Sequence, residues 1–188
     1  MSPLEIAGFV LGFANIVLLI RRSVWNFPVA MAMVSCIGIV LFDARLYAEA
    51  GLQVFFFVVN AWGWWLWTRA RGGDETVPVG WLGWPARAVW LLATAVVSLA
   101  LGAALSRWTD AALPMADSAV TGMSIAAQLL LSFRRIENWV LWIVIDIVSI
   151  ALYLNRDLHL LAVLYVAFLA LSVVGLREWT RAGGAKTA

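Results

Sequence analysis

The chain has little of what a water-soluble or disulfide-linked domain needs. Charged side chains make up only 13% of its 188 residues, against roughly 25% in a soluble domain. Its single cysteine, Cys36, has no second cysteine to pair with, which excludes an internal disulfide. Because Cys36 lies inside an apolar run, we interpret it as a small packing residue.

Residues typical of catalysis and of metal binding are equally scarce. The one histidine, His159, sits between a short charged segment and an apolar run, with no second histidine or cysteine near enough for a metal site. No His-Glu-x-x-His, Gly-x-Ser-x-Gly or phosphate-loop motif occurs. We therefore expect no metal, no cofactor and no enzyme activity, and we interpret His159 as a solvated loop residue. The net charge of +2, spread over short loops, excludes a basic face for nucleic acid.

Apolar side chains, by contrast, make up 64% of the chain, and several of its 12 tryptophans lie near the ends of apolar runs, as at a membrane interface. The apolar runs are Leu4 to Ile20, Val24 to Phe42, Leu52 to Trp67, Val89 to Leu105, Ser118 to Phe133, Trp139 to Leu154, and Leu158 to Leu176. As helices, these runs would cover about 24 to 29 Å, close to the hydrocarbon core of a bilayer. The sequence therefore predicts an all-α integral membrane protein with seven transmembrane helices.

The basic residues predict how these helices are oriented, because cytoplasmic loops are enriched in lysine and arginine. One side of the membrane would carry Arg45, Arg107 and Arg156. The other side would carry Arg21, Arg22, Arg69, Arg71, Arg87, Arg134, Arg135, Arg177, Arg181 and Lys186. The C-terminus is therefore expected in the cytoplasm and the N-terminus outside.

An internal repeat becomes visible when the chain is shifted by 112 residues along itself. The matched pairs are Asn26 with Asn138, Phe27 with Trp139, Leu46 with Leu158, Phe56 with Phe168, Gly63 with Gly175, and Trp67-Thr68-Arg69 with Trp179-Thr180-Arg181. We predict two parallel three-helix repeats, residues 1–68 and 118–188, of which the second includes a cytoplasmic tail. A loop and linker helix over residues 69–117 would join them. Some transporters with such repeats bind substrate between the two halves.

The sixth predicted helix carries a polar and aromatic stripe at spacings of three and four residues, which consists of Trp139, Trp142, Asp146, Ser149 and Tyr153. A charge at mid-membrane depth costs at least about 2.5 to 3.5 kcal/mol unless it is paired or hydrated, so Asp146 is a candidate binding residue. The alternative is a protonated Asp146 that is hydrogen-bonded to a neighbouring helix. For the two tryptophans, the alternative is a place in the interfacial aromatic belt.

Two further predicted helices carry polar stripes. On the third helix these residues are Gln53, Phe56 or Phe57, Asn60, Trp64 and Trp67, and on the fifth they are Thr121, Ser124 and Gln128. Asn60 would lie at about the depth of Asp146, which suggests one shared cavity and argues against a purely structural scaffold. For Thr121 and Ser124, a hydrogen bond within their own helix or glue between helices is an equal alternative. The fourth helix has almost no polar side chains and is expected to be a scaffold.

These stripes also resemble a known family. The segments Glu137-Asn138-Trp139-x-x-Trp142-x-x-x-Asp146 and Leu52-Gln53-Val54-Phe55-Phe56-Phe57-x-x-Asn60-x-x-Gly63-Trp64 are similar to those of the Pnu vitamin transporters, including the PnuC-type nicotinamide riboside transporters. The resemblance covers nearly the whole chain. It implies a fold like that of the SWEET sugar transporters, in a 3+1+3 arrangement, and a homotrimer in a bacterial inner membrane.

For function, the resemblance implies facilitated diffusion of nicotinamide riboside into the cytoplasm, where a kinase would trap it by phosphorylation. The implied site residues are Trp139, Trp142, Asp146, Gln53 and Asn60. One departure concerns the substrate, because some riboside transporters have asparagine where this chain has Asp146. Two similar vitamins therefore remain alternatives, thiamine, which is a cation, and riboflavin, which is neutral.

Overall fold

The computed structural model describes residues 3–43, 47–74, 76–108, 114–155, 157 and 159–184. Within these ranges the chain forms seven α-helices and no β-strand. The helices are α1 Pro3–Ile20, α2 Asn26–Asp43, α3 Tyr47–Arg71, α4 Trp84–Trp108, α5 Pro114–Ser132, α6 Glu137–Asn155 and α7 His159–Gly184. Each apolar run overlaps one of these helices, which confirms the all-helical fold.

Several helices extend beyond the apolar runs that predicted them. Helix α3 begins at Tyr47, ahead of Leu52, and ends at Arg71, beyond Trp67. Helix α7 continues to Gly184 and so includes Arg181 in its last turn. Hydropathy identifies only the apolar part of a helix, whereas the backbone hydrogen bonds of the helix continue through polar residues. The helix ends could therefore not be predicted from the apolar pattern.

Four of the described helices are long and apolar enough to cross a membrane, which agrees with a membrane protein. They are α2, α4, α6 and the Leu161–Gly183 part of α7. The apolar stretch of α1, Ile6–Ile20, is shorter. Helices α3 and α5 carry more polar side chains, such as Asn60 and Gln128, and these lower their hydropathy. A crossing by all seven helices stays a prediction.

The chain divides into two compact units, each described here by itself. The first unit contains Met1–Val79 and Ser132–Arg134, and the second contains Gly80–Leu131 and Arg135–Ala188. In the first unit α1 packs against α2 and α2 against α3, whereas in the second α6 packs against α7. Helix α4 also approaches α5 closely in the second unit, because a Cβ on Gly122 would collide with Ser98. The predicted repeat boundaries at residues 69 and 118 stay a prediction.

The corner that follows the first helix has the same geometry in both predicted repeats. Arg22 and Arg134 both adopt a left-handed backbone, with φ of 56° and 62°. The N–H of the residue after each arginine donates to the carbonyl five positions earlier, at 3.0 Å to Leu18 and at 2.8 Å to Leu130. A left-handed residue with this hydrogen bond is a common way to end a helix. The corners of the two repeats are therefore built in the same way.

The helix after each corner also begins in the same way. Asn26 and Asn138 each donate a side-chain amide hydrogen to the backbone carbonyl three residues earlier, at 2.6 Å in both cases. The backbone N–H of each asparagine donates to that same carbonyl, at 3.2 Å. Both asparagines are buried, so these bonds satisfy polar groups that water does not reach.

Each unit also packs two aromatic rings beside a glycine at matched positions. In the first unit these residues are Phe27, Trp67 and Gly63, and in the second they are Trp139, Trp179 and Gly175. The ring centroids are 5.1 Å apart in the first unit and 5.6 Å in the second, and the rings are nearly perpendicular, at 83° and 87°. A Cβ on either glycine would come to 2.5 Å from the facing ring. The local contacts thus recur at the predicted offset.

Some of the residues used for the topology and the repeat lie outside the described residues. These are Arg45, Arg156, Lys186, Leu46 and Leu158, together with the last residues of the predicted cytoplasmic tail. The 3+1+3 arrangement of the two three-helix repeats around the fourth helix stays a prediction.

Candidate functional site

The start of α6, the helix with the richest polar stripe, is held by an ionic and aromatic cluster in the second unit. Oε1 of Glu137 accepts hydrogen bonds from the backbone N–H of Leu82 and from Nε of Arg87, both at 2.8 Å. The Arg87 guanidinium lies over the rings of Trp81 and Trp84, at 5.2 and 4.8 Å from their centroids. Cation–π contact and a charge-assisted hydrogen bond together fix where α6 begins.

The two tryptophans of α6 have different environments. Trp139 is 1% exposed and packs edge-to-face against Trp179, with Gly175 beside its ring. Its indole Nε1 is buried and has no hydrogen-bond partner among the described residues. Trp142 is only half-buried. Trp139 therefore packs within the unit instead of facing an interface, and Trp142 keeps more of its surface available for a ligand.

Asp146 lies one helical turn beyond Trp142 and is 4% exposed. Ser172 of α7, itself buried, donates its hydroxyl to Oδ2 of Asp146 at 3.0 Å. Among the described residues, no arginine or lysine forms an ion pair with Asp146. Asp146 therefore has the hydrogen bond to a neighbouring helix that the structural alternative expects. Because a hydroxyl can both donate and accept, Ser172 can form this bond with the ionised or with the protonated acid.

Aromatic side chains lie at the far end of the same stripe. The rings of Tyr153 on α6 and Tyr165 on α7 are 5.1 Å apart, and Tyr165 in turn contacts Phe168 at 5.6 Å. Between this cluster and Asp146 lies Ser149, which is 3% exposed. The α6–α7 packing surface of the second unit is thus polar and aromatic along much of its length.

The predicted residues of α5 also belong to the second unit. The hydroxyls of Thr121 and Ser124 donate to carbonyls of their own helix, at 2.9 Å to Asp117 and 2.8 Å to Val120. Both hydroxyls therefore form hydrogen bonds within their own helix, and the binding role of these two residues stays a prediction. Gln128 is 8% exposed and is the predicted polar residue of α5 that is most deeply buried.

The predicted residues of α3 belong to the first unit. Asn60 is 5% exposed, and its Nδ2 donates to the backbone carbonyl of Phe56 at 2.8 Å. Gln53 and Phe56 are half-buried, whereas Trp64 is 36% exposed. Trp67, the last residue of the stripe, is fully buried. The stripe therefore contains two buried residues, Asn60 and Trp67, among partly exposed ones.

Gln53 lines a cavity of about 650 Å³ between α2 and α3, within the size range of ligand pockets. Gly38 and Gly51 leave space in its wall, and Phe42 and Phe57 supply apolar surface. Gln53 thus lies in a largely apolar wall, and its amide offers this cavity both a donor and an acceptor.

The structure brings the predicted residues together only within each unit. Gln53, Phe56, Asn60 and Trp64 share α3 in the first unit. The α5 and α6 residues, from Thr121 to Asp146, belong to the second unit. A cavity that the two stripes share stays a prediction. Among the described residues, no group of three or more His, Cys, Asp or Glu side chains is placed to hold a metal ion, and His159, at the start of α7, is 72% exposed.

Two residues of this region escaped the sequence analysis, namely Ser172 and Tyr165. A signal for both was present, because the repeat offset that pairs Gly63 with Gly175 also pairs Asn60 with Ser172 and Gln53 with Tyr165. Applying the offset to the stripe of the third helix would have selected these two positions. We missed them because serine and tyrosine are unremarkable in an apolar helix when they stand alone.

Comparison with known proteins relates this chain to membrane transporters over almost its whole length. It is 27% identical over 205 residues to the nicotinamide riboside transporter PnuC of Escherichia coli, an alignment that covers 95% of this chain and 85% of the relative. It is 28% identical to the riboflavin/roseoflavin transporter RibM of Streptomyces davaonensis, with 93% and 83% covered. The crystal structure of a vitamin B3 transporter PnuC matches with a TM-score of 0.78 and 26% identity, over 95% of this chain and 80% of that one.

The family model described as nicotinamide mononucleotide transporter matches residues 2–181. This match covers α1 to α6, including the α3 and α6 stripes, and α7 as far as Arg181. The chain therefore belongs to the nicotinamide mononucleotide transporter family, the PnuC family of membrane transporters.

Proposed function

We propose that this protein carries nicotinamide riboside across a bacterial inner membrane into the cytoplasm. The observation that carries the proposal is Asp146, a buried acid one turn from the indole of Trp142 and without an arginine or lysine ion pair among the described residues. The pyridinium of nicotinamide riboside is a cation, so it suits both groups. A carboxylate attracts it by charge, and an indole face attracts it by cation–π contact. Kinship with PnuC of Escherichia coli supports the same substrate.

The proposed transport site consists of the residues predicted from the sequence. Trp142 and Asp146 contact the substrate, with Gln53, Phe56, Asn60, Trp64, Thr121, Ser124 and Gln128 as further binding residues. Trp139 supports this set through its packing against Trp179. The amides supply hydrogen bonds for the ribose hydroxyls, and the rings supply stacking surface.

Transport is by facilitated diffusion, without a coupled ion. Asp146 is the acid that the sequence places in the middle of a predicted span, and a single such group leaves little room for a proton or sodium relay. A cytoplasmic kinase traps the substrate by phosphorylation. Uptake into empty vesicles of purified protein and lipid should proceed without an ion gradient and stop at equal concentrations. Accumulation driven by an imposed gradient would contradict uniport.

The topology follows from the distribution of basic residues. Seven helices cross the bilayer, with the N-terminus outside and the C-terminus in the cytoplasm. The 3+1+3 arrangement and the assembly of three copies are carried over from the resemblance to the Pnu vitamin transporters. In intact cells, a membrane-impermeant thiol reagent should not label a cysteine introduced at residue 188 when Cys36 has been replaced by alanine. Labelling there would contradict the orientation.

Riboflavin is the second candidate substrate, because RibM of Streptomyces davaonensis is as similar to this chain as the riboside transporter of Escherichia coli. Thiamine, a cation like nicotinamide riboside, is a third. Calorimetric titration of the purified protein with the three vitamins decides among them. We expect nicotinamide riboside to bind most tightly. If riboflavin bound most tightly, riboflavin would be the substrate, and Asp146 would have no positive charge to bind.

A further inference from the structure

We propose that Ser172 is a positioning residue that orients and stabilises the Asp146 carboxylate, and that it thereby sets the preference of the site for cationic over neutral ligands. The proposal rests on the proposed function, because it concerns the same site. It adds a residue of α7 that lies outside the stripes predicted from the sequence, and it states what that residue does to substrate choice.

The first support is geometric. Ser172 Oγ donates to Oδ2 of Asp146 at 3.0 Å, and the two residues are 5% and 4% exposed. Water therefore has little access to compete for this hydrogen bond. A bond to one specific oxygen also fixes the rotation of the carboxyl group about its side chain, so the direction in which the other oxygen points is set by α7.

The second support comes from the other hydroxyls of the chain. A serine or threonine in a membrane helix commonly donates to its own backbone four residues earlier. Several hydroxyls here do so, namely those of Ser35, Thr94, Ser106, Thr121 and Ser124. Ser172 instead donates across to another helix, so its hydroxyl is engaged by the acid and not by its own helix.

The third support comes from the repeat. At the offset of 112 residues, Ser172 corresponds to Asn60 and Asp146 corresponds to Val34. Where the acid is replaced by valine, Asn60 donates to the carbonyl of Phe56 in its own helix. Because Val34 has no polar side-chain group, a side-chain hydrogen bond between the two matched positions is possible only in the unit that contains the acid.

The chemical consequence concerns the negative charge. A hydrogen bond donated to a carboxylate is stronger than one between neutral groups, so the Ser172 hydroxyl stabilises the charge that attracts a cation. Without it, the buried carboxylate would lose a donor that water cannot replace, and the site would attract a cation less strongly. A neutral ligand gains nothing from this charge and should be indifferent to the hydroxyl.

The test is calorimetric titration of the purified protein and its variants with nicotinamide riboside, thiamine and riboflavin. Ser172→Ala should weaken both cations about tenfold, the effect of losing a hydrogen bond to a charged group. Riboflavin binding should remain within about twofold, and Ser172→Thr, which retains the hydroxyl, should restore most of the cation affinity. Ser106→Ala removes a hydroxyl that serves only its own helix in α4 and should change none of the three affinities.

A double-mutant cycle separates positioning from packing. In an Asp146→Asn background, Ser172→Ala should cause no further loss of cation binding. Equal weakening of all three vitamins, or unchanged cation binding in Ser172→Ala, would overturn the role of Ser172 and leave the proposed function intact. A parent protein that binds none of the three vitamins would instead overturn the proposed function, and this inference with it.

Discussion

The two units share a packing plan and differ in what they place inside it. Phe27 and Trp67 of the first unit meet edge-to-face, as Trp139 and Trp179 of the second unit do. The helix after the corner carries Val34 in the first unit at the position where the second unit carries Asp146. Aromatic residues therefore stand at the matched positions where the helices pack together, while the position of Asp146, which we propose to bind ligand, differs between the units.

A second difference lies in the packing of α2 on α3 and of α6 on α7. Gly38 and Gly51 line the cavity of the first unit, and the offset replaces them in the second unit with Ile150 and Val163. Val163 is 67% exposed, so the matched positions do not have the same surroundings. One packing plan thus accommodates a largely apolar cavity wall in the first unit and the hydrogen bond between Ser172 and Asp146 in the second.

Removing one ring of the aromatic pair that both units contain should cause the largest loss of stability. Trp179→Ala and Trp67→Ala each remove a fully buried indole, and each should lower the free energy of unfolding by about 3 to 5 kcal/mol. Thermal or denaturant unfolding in detergent measures the loss. Trp108→Ala, at a residue that is 81% exposed, is the control and should change stability by less than about 0.5 kcal/mol. A large loss in only one unit would break the equivalence of the two pairs.

The glycines beside these rings should come next. A Cβ at Gly175 would lie 2.5 Å from the Trp139 ring, and one at Gly63 would lie 2.5 Å from the Phe27 ring. Because both rings are buried, they have little room to move, and Gly175→Ala and Gly63→Ala should each cost about 1 to 3 kcal/mol. Alanine also brings a gain of about 1 kcal/mol to a helix, so the net loss of stability should be at most about 2 kcal/mol.

Gly51 is the matched control for these two substitutions. It also lies in a helix, α3, but apart from its chain neighbours and the nearby backbone of that helix, no atom lies within 4 Å of the position that its Cβ would take. Gly51→Ala should therefore leave the unfolding midpoint unchanged or raise it slightly. If Gly51→Ala destabilised the protein as much as Gly175→Ala does, backbone effects and not ring contact would explain the losses.

Asp146, the acid that the first unit lacks at the matched position, should determine whether the site binds cationic vitamins more tightly than neutral ones. Asp146→Asn should weaken nicotinamide riboside and thiamine by about tenfold or more, since a carboxylate about 4 Å from a cation contributes up to roughly 4 kcal/mol before desolvation. Riboflavin binding should change little. Trp142→Ala should weaken all three, because stacking is lost whatever the charge. Trp108→Ala, at a residue that is 81% exposed, is the control and should change none of the three affinities. Unchanged cation binding with lower thermal stability in Asp146→Asn would assign Asp146 a structural role.

The corner asparagines should give the smallest effect. Asn138→Ala and Asn26→Ala each remove a side-chain hydrogen bond of 2.6 Å to the preceding corner, worth about 0.5 to 1.5 kcal/mol. Asn155→Ala removes a similar bond, to the carbonyl of Ala151, at an exposed helix end and should cost less because water replaces it. In unfolding curves, Asn138→Ala and Asn26→Ala should lose similar stability, and Asn155→Ala should lose less. Losses at Asn26 and Asn138 that differ by more than about 1 kcal/mol would show that the two corners are not equivalent.

Much of the fold was accessible from the sequence because it is encoded locally. The apolar runs predicted all seven helices, and the match of the chain to itself at an offset of 112 residues identified Gly63 and Gly175 as equivalent positions. The helix ends were less accessible, since Arg71 and Arg181 are helical although they are polar. Within the candidate site, the stripe of α6 was correct as a helical face, but its spacing gave Trp139 and Trp142 equal weight.

By itself, the sequence determined that the protein is helical and lies in a membrane, that residue types recur at an offset of 112, and on which helical faces the polar residues lie. Each of these follows from composition or from a period of the chain. Only the tertiary structure decided that Trp139 is buried against Trp179 while Trp142 is half-exposed, and that Ser172 donates to Asp146 across 26 residues of sequence. The physical reason is that such pairings depend on how α6 and α7 are rotated against each other. Small residues such as Gly175 set that rotation, and a helical period read on one helix at a time does not contain it.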